Sequence, residues 1–186
     1  MAGRERAKAV FGAIMRIQLG TTRIGWLMAD DVSIRRFRDS DLDQLVRLIY
    51  ETIGISYAGV YPPRAAQFLK DFHSEKKIAD RSKIGTTLVV EENGELVATG
   101  SLVGGEILGV FVHPRLQKGG RGKALMKALE NEARASGVRE IGLNISLPSR
   151  GFYEILGYRV VEELSIDVGD GQQMWAMVSG WTLGKR

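Results

Sequence analysis

The chain has 186 residues, 44% of them hydrophobic and 26% charged, which suits one globular domain burying about 70% of the surface of the unfolded chain. It has no cysteine and two histidines, His73 and His113, so disulfides, thiolate metal sites and cysteine nucleophiles are excluded and no metal site is expected. The formal net charge is +4, and no apolar run reaches the roughly 18 residues that span a bilayer, so we expect a cytoplasmic protein with no membrane partner.

The excess positive charge lies in the first 23 residues. They hold five basic residues and one acidic residue, which leaves 21 of each sign in residues 24–186 and therefore a neutral body. A nucleic-acid-binding function would depend on this arm alone, and we expect no nucleic-acid partner. The arm is rich in arginine like a transit peptide, but it lacks serine. We expect residues 1–31 to be a dispensable basic extension. Alternatively, the start codon is assigned too early, and translation begins at Met15 or Met28.

Regular structure is predicted from Val32 onwards, in a single domain over residues 32–182. Alternating apolar residues indicate strands, and apolar residues spaced three and four apart indicate helices. In chain order the predicted elements span residues 32–37 (strand), 38–53 and 61–72 (helices), 83–91, 95–103 and 106–112 (strands), 123–137 (helix), 139–145 (strand), 147–157 (helix), and 158–168 and 172–181 (strands).

Short turns determine how the predicted strands pair. Asn93-Gly94, Gly104-Gly105 and Gly169-Asp170-Gly171 are residue types that form tight hairpins, which join antiparallel strands. The helix over residues 123–137 instead crosses over between two strands, which should therefore be parallel. The sequence predicts an α/β fold with a mixed sheet and helices on both faces.

The stretch from His113 to Leu125 reads HPRLQKGGRGKAL and follows a predicted strand. A P-loop would need glycine at Gln117 and Ser or Thr at Ala124, and a dinucleotide fingerprint would need glycine at Leu125, so neither motif fits. What remains is a strand, a glycine-rich loop and a helix N-terminus, an arrangement that binds anions through backbone N–H groups. A glycine-rich turn with solvated lysines fits the composition equally well.

Three segments resemble the GCN5-related N-acetyltransferase (GNAT) family. They are residues 110–114 (VFVHP), residues 117–122 (QKGGRG), which satisfy the Q/R-x-x-G-x-G/A pattern of the family's pyrophosphate loop, and residues 151–158 (GFYEILGY). The predicted element order also matches that fold. The resemblance implies a GNAT-like acyl-CoA N-acyltransferase fold, acetyl-CoA as the cofactor, and a small-molecule amine or a protein amino group as the acceptor.

The resemblance also implies which residues bind the cofactor. Backbone groups at the end of the strand over residues 106–112 would contact the pantetheine arm and the oxyanion, and Gly109 before them suits a β-bulge. The family often carries Asn seven residues before its tyrosine, whereas this chain has serine there, which puts that contact in doubt. The expected cofactor-binding residues are Val110, Phe111, Val112, Gln117, Lys118, Gly119, Gly120, Arg121, Gly122, Lys123, Ser146 and Ser149.

Tyr153 matches the family's usual general acid. Acetyl transfer from a thioester releases a thiolate, and a phenol with a pKa near 10 can donate a proton to it while staying neutral at rest. Phe152 and Tyr153 could instead be core aromatics that anchor a short helix.

Glu106 is the expected general base, because amines with a pKa near 10.4 are protonated at neutral pH and must lose a proton. It stands eleven residues before Gln117, where the histone-acetyltransferase branch of the family carries a catalytic glutamate. Strict strand alternation would place Glu106, Leu108 and Val110 on one face. An exposed acid after a Gly-Gly turn is the plainer reading, and Glu51, Glu92 or ordered water are alternative bases.

The acceptor side gives fewer signals. By the resemblance, residues 50–63 line the acceptor pocket, with Glu51, Tyr57 and Tyr61 as the expected substrate-binding residues. A non-catalytic CoA-binding sensor or regulator is the alternative function. Homodimers are common in the family, but the sequence does not determine the oligomeric state.

Overall fold

The computed structural model describes residues 32–182, so the predicted extension over residues 1–31 lies outside the described part of the chain. Seven strands and five helices follow one another in this range. The strands are β1 Val32–Arg36, β2 Thr86–Glu92, β3 Glu95–Val103, β4 Glu106–Val112, β5 Glu140–Ser146, β6 Arg159–Gly169 and β7 Gln172–Thr182. The helices are α1 Leu42–Ser56, α2 Pro63–Phe72, α3 Glu75–Ile84, α4 Arg121–Ala135 and α5 Arg150–Ile155.

All seven strands form one mixed sheet in the order β1-β2-β3-β4-β5-β7-β6. Neighbouring strands are antiparallel except β4 and β5, which are parallel and joined through α4. The predicted mixed sheet and the parallel crossover are therefore confirmed. No helix among residues 32–182 is long and apolar enough to cross a membrane.

The three predicted hairpin turns are all present. The paired turn residues Asn93-Gly94, Gly104-Gly105 and Asp170-Gly171 have φ angles of 53° and 82°, 56° and 93°, and 55° and 70°. Positive φ at both central residues is the signature of the type I′ turn, whose twist matches that of the flanking strands. Local turn chemistry thus determines three of the six strand pairings.

Helix α3 is the one element that the sequence analysis does not predict. Of its ten residues only Ile78 is buried, so it lacks the apolar stripe by which an amphipathic helix is recognised. The helix also takes up Lys83 and Ile84, which were expected to open a strand; β2 begins at Thr86 instead. Ser74 before the helix and Gly85 after it are the weak sequence signals that mark its ends.

The sheet separates two apolar cores because successive strand residues face opposite sides. On β2, Leu88 and Val90 pack in one core with the buried side of α4, whereas Val89 packs in the other with α1. The predicted placement of helices on both faces is confirmed. The ends of β4 and β5 therefore have helices on both sides. Helices α1 and α2 lie on one side, and α4 and α5 lie on the other.

Candidate active site

The site begins where β4 and β5 separate. The two strands pair only at Glu106 with Gly142 and at Ile107 with Leu143, although β4 continues to Val112 and β5 to Ser146. A pocket of about 210 Å³ lies here. It is bounded by β4 and β5 together with α2, β6, β7 and the segment that joins α1 to α2.

A β-bulge at Gly109 shapes the end of β4. Ser101 pairs with Leu108 and Thr99 with Phe111, so two residues of β4 oppose the single residue Gly100. Gly109 has φ 60°, which glycine adopts without strain. The bulge reverses the side-chain alternation, and Val110 therefore packs in the same core as Ile107.

The expectation that Glu106, Leu108 and Val110 share one face is consequently wrong. Glu106 and Leu108 lie on one face of the strand, and Val110 lies on the other because the extra residue shifts its phase. Leu108 lines the pocket and Glu106 does not.

The ring of His73 covers the bulge. A Cβ atom on Gly109 would come within 2.8 Å of the His73 ring, so glycine is required there for space as well as for conformation. His73 is buried, packs edge-on against Phe111, and its Nδ1 lies 3.0 Å from a guanidinium nitrogen of Arg81. Burial, reinforced by the Arg81 charge, lowers the pKa of His73 to about 3. The ring is therefore neutral at physiological pH.

Neither His73 nor Arg81 is assigned a role by the sequence analysis. They come together because α3 turns back beside the end of α2, and α3 is the helix that the apolar pattern does not reveal. Only a sequence signal for α3 would have indicated that His73 and Arg81 are in contact.

The glycine-rich loop over residues 117–122, the predicted pyrophosphate loop, leads into α4 with a left-handed backbone. Lys118 has φ 64° and Gly120, the residue before the helix, has φ 84°. Gly122 is buried in the first turn of α4, where an added Cβ would meet the Phe152 ring at 3.2 Å and Val112 at 3.3 Å. Glycine at position 122 is therefore required for the packing of this turn. The unpaired N–H groups at the start of α4 form an anion site of the kind that fits the pyrophosphate of coenzyme A.

The charged residues of the loop point in different directions. Arg121 donates two hydrogen bonds of 2.6 Å to the carboxylate of Glu92, at the end of β2, and these bonds lower the pKa of Glu92. Lys118 and Lys123 are exposed. Gln117 donates to the Val112 carbonyl at 3.2 Å and so joins the loop to the end of β4.

Phe152 and Tyr153 connect the loop to the pocket. The Phe152 ring lies against Gly122, while the next residue, Tyr153, is buried and lines the pocket. The Tyr153 ring packs edge-on against Phe152 and Tyr158, and its hydroxyl has no hydrogen-bond partner among residues 32–182. Burial raises the pKa of Tyr153, so the phenol stays protonated at neutral pH.

Hydroxyl groups of tyrosine and serine also line the pocket. Tyr57 Oη lies 3.1 Å from Ser146 Oγ, which lies 2.8 Å from Ser149 Oγ, and burial raises the pKa of Tyr57. Tyr61 stacks on Tyr57 with ring centroids 5.7 Å apart. Its hydroxyl donates to the Trp175 carbonyl at 2.6 Å and accepts from the Leu147 amide at 2.7 Å.

The three carboxylates considered as bases lie outside the pocket lining. Glu92 is occupied by Arg121, which lowers its pKa and makes it a poor proton acceptor. Glu51 is half-exposed, and its carboxylate lies 3.5 Å from His113 Nε2. Glu106 is exposed at the start of β4, two residues from Leu108 in the pocket wall.

A glycine-rich turn at a helix N-terminus, a gap between two parallel strands and a buried tyrosine lining that gap fit an acyl-CoA-dependent transferase. A family model for the acetyltransferase (GNAT) domain matches residues 51–178 of the chain. The chain therefore belongs to the GCN5-related N-acetyltransferase family, as its sequence predicts.

Solved structures share the fold. A GCN5-related N-acetyltransferase from Rhodopseudomonas palustris is 22% identical over 86% of this chain and 100% of that one, with a TM-score of 0.75. PaiA N-acetyltransferase from Thermoplasma acidophilum, in complex with coenzyme A, is 20% identical over 82% and 99%, with a TM-score of 0.66. YncA from Salmonella typhimurium, with its cofactor acetyl-CoA, is 20% identical over 84% and 96%, with a TM-score of 0.61. No curated protein sequence matches the chain significantly.

These findings confirm the predicted enzyme class and agree with the predicted cofactor. The chain is an acetyltransferase of this family, and two of the solved structures with the same fold contain coenzyme A or acetyl-CoA.

Proposed function

We propose that this enzyme transfers the acetyl group of acetyl-CoA to a primary amine, on a small molecule or a protein, by direct attack within a ternary complex. The observation that carries the proposal is the pair Phe152-Tyr153. One ring packs on the pyrophosphate loop and the next faces the pocket, so a single turn of α5 connects the cofactor cradle to the reaction site.

The cofactor would be held along the loop and the separated end of β4. Backbone groups of residues 117–122 and the first turn of α4 would bind the pyrophosphate, with Lys118, Arg121 and Lys123 adding positive charge. The backbone of residues 110–112 would contact the pantetheine arm, and Ser146 and Ser149 offer hydroxyl groups across the gap. When bound, acetyl-CoA supplies a thioester whose carbonyl carbon accepts the amine.

The bulge positions the backbone groups that would stabilise the oxyanion. An amide held by packing costs little reorganisation when charge develops, and one good donor contributes on the order of 10²–10³ in rate. The buried neighbours Phe111 and His73 hold this backbone in place. Tyr153 would then donate a proton from its hydroxyl to the departing sulfur.

Glu106 is the proposed base, acting through water. It lies on the same face of β4 as Leu108, about 7 Å along the strand, and Leu108 lines the pocket. Its exposure keeps the carboxylate in contact with solvent, to which the proton can be passed. Tyr57 and Tyr61 would contact the acceptor, with Glu51 near the entrance.

Incubation of the full chain with acetyl-CoA and a panel of amines, read as free CoA, tests the proposal. We expect thiol release that depends on the amine, together with an acetylated product of matching mass. Binding of acetyl-CoA without amine-dependent release would contradict it and would instead support a CoA-binding regulator.

A further inference from the structure

The pocket beside Tyr153 has an uncharged wall. Among the residues that the structure describes, none of those lining it is Asp, Glu, Lys or Arg. Its polar groups are the hydroxyls of tyrosine and serine, the amide of Asn144 and the ring of His73. The rest is apolar or aromatic, and the far wall, formed by α2, β6 and β7, is built from Phe68, Phe72, Leu164, Ile166, Met174 and Ala176.

A positive charge lies behind this wall. Arg81 contacts Nδ1 of His73 and lies over the Phe72 ring, 5.6 Å from its centroid, but does not itself line the pocket. The neutral His73 ring separates this guanidinium from the pocket. An ammonium group at the far wall would therefore find no carboxylate to pair with and a cation nearby.

An unpaired buried ammonium loses several kcal/mol of hydration that nothing in such a wall restores. The transferred amine escapes this penalty, because it must lose its proton before it attacks, and an apolar surrounding lowers an amine pKa and so favours the neutral form. A second amine on the same molecule does not react, so it does not have to lose its proton and would stay charged.

We propose that the acceptor is a monoamine whose amino group is carried on an apolar body about the size of one aromatic ring. The inference rests on the proposed function and narrows its substrate class, excluding polyamines and aminoglycosides. The size follows from the volume: the whole pocket measures about 210 Å³, the thioester end of the cofactor takes part of it, and a cavity of about 150 Å³ already holds one benzene ring. The stacked pair Tyr57 and Tyr61 provides a flat surface for such a ring.

Two amines of equal length give the sharpest test. Hexylamine and 1,5-diaminopentane differ only in whether the far end is a methyl or an ammonium group, and 2-phenylethylamine adds the aromatic case. We expect kcat/KM, from free CoA release by the full chain, to be at least about 100-fold higher for hexylamine and 2-phenylethylamine than for the diamine. Equal or better turnover of the diamine would overturn the inference while leaving the transferase function intact.

A matched pair of variants tests the cause. Leu164→Glu places a carboxylate at the far wall, and Leu164→Gln places a neutral group of the same shape there. The ratio of kcat/KM for the diamine to that for hexylamine should rise at least about tenfold in the Glu variant relative to the Gln variant. An unchanged ratio in two folded variants would show that wall charge does not select the acceptor.

Measuring amine binding separates the proposed transfer mechanism from the proposed monoamine specificity of the pocket. Calorimetric titration of each amine into the enzyme saturated with CoA should detect 2-phenylethylamine and hexylamine but not the diamine. If the monoamines bind and no amine is acetylated, the transfer mechanism fails and the pocket assignment stands. If neither monoamine binds, the pocket assignment fails.

Discussion

Tyr153 is a buried phenol whose hydroxyl has no hydrogen-bond partner among the described residues and whose ring is held by two aromatic neighbours. Tyr153→Phe should therefore leave the stability unchanged and lower kcat about 100-fold, since general acid catalysis contributes on that order. KM for acetyl-CoA should change little. Steady-state kinetics and a thermal melt measure both effects.

Tyr50→Phe is the matched control for that variant, because Tyr50 does not line the pocket and its hydroxyl donates only to the Lys70 carbonyl. It should retain wild-type kcat. Full activity of Tyr153→Phe would exclude the tyrosine as the acid.

Glu106 acts from outside the pocket wall in the proposed mechanism, so its removal should change the pH profile more than the binding constants. Glu106→Gln should lower kcat at neutral pH, with recovery as the pH rises and the amine loses its proton to solvent. Glu95→Gln, an exposed carboxylate at the start of β3, should behave as the wild type. A wild-type pH profile for Glu106→Gln would rule out this base and leave ordered water in its place.

At the scale of the element, the first turn of α4 depends on the absence of a side chain at Gly122. Gly122→Ala would push a methyl group into Phe152 and Val112, and overpacking of this kind costs about 1–3 kcal/mol. We expect a lower Tm and about tenfold weaker CoA binding, measured by thermal melts with and without CoA and by titration.

Gly151→Ala is the control at this scale, because a Cβ at Gly151 meets nothing within 4 Å and α5 should gain up to about 1 kcal/mol of helix propensity. CoA affinity should be retained. If the two alanine variants bind CoA equally, close approach at Gly122 is not needed.

The elements predicted correctly are those with local causes. The three hairpins follow from glycine and asparagine at their turns, and α4 from its apolar stripe. Helix α3 has one buried residue and no such stripe. The bulge is suggested by Gly109, but its effect on Val110 depends on the register with β3, which no local pattern contains. The same holds for the site. The local sequence indicates Tyr153 and the glycine-rich loop. It does not indicate the contacts of His73 with Arg81 and of Glu92 with Arg121, which form only on folding.

For the whole molecule, the buried neutral His73 couples folding to pH. Its pKa is lowered from 6.5 to about 3, so the unfolded chain binds the proton more tightly. The contribution to stability is complete above pH 6.5 and is lost as the pH falls from 6.5 toward 3. Between pH 7.5 and 5.5 this loss amounts to about 1.4 kcal/mol, measurable by urea unfolding of the full chain.

His73→Gln should show a smaller loss over the same interval, whatever its absolute stability. His113→Gln removes the other histidine of the chain and serves as the comparison variant. An equal loss in wild type and His73→Gln would mean that another group titrates.

The central ladder of the sheet, between β4 and β5, consists of two residue pairs, whereas β6 and β7 pair along nine positions. Interior strands are usually the last to open, but here the seam runs through the middle. The backbone hydrogen bonds thus divide the sheet into a part of four strands and a part of three, which are joined by two residue pairs and by the apolar core beneath them. A cofactor bound in the gap would contact both parts of the sheet. Saturation with CoA should therefore make the whole sheet more rigid, including strands that do not touch the ligand.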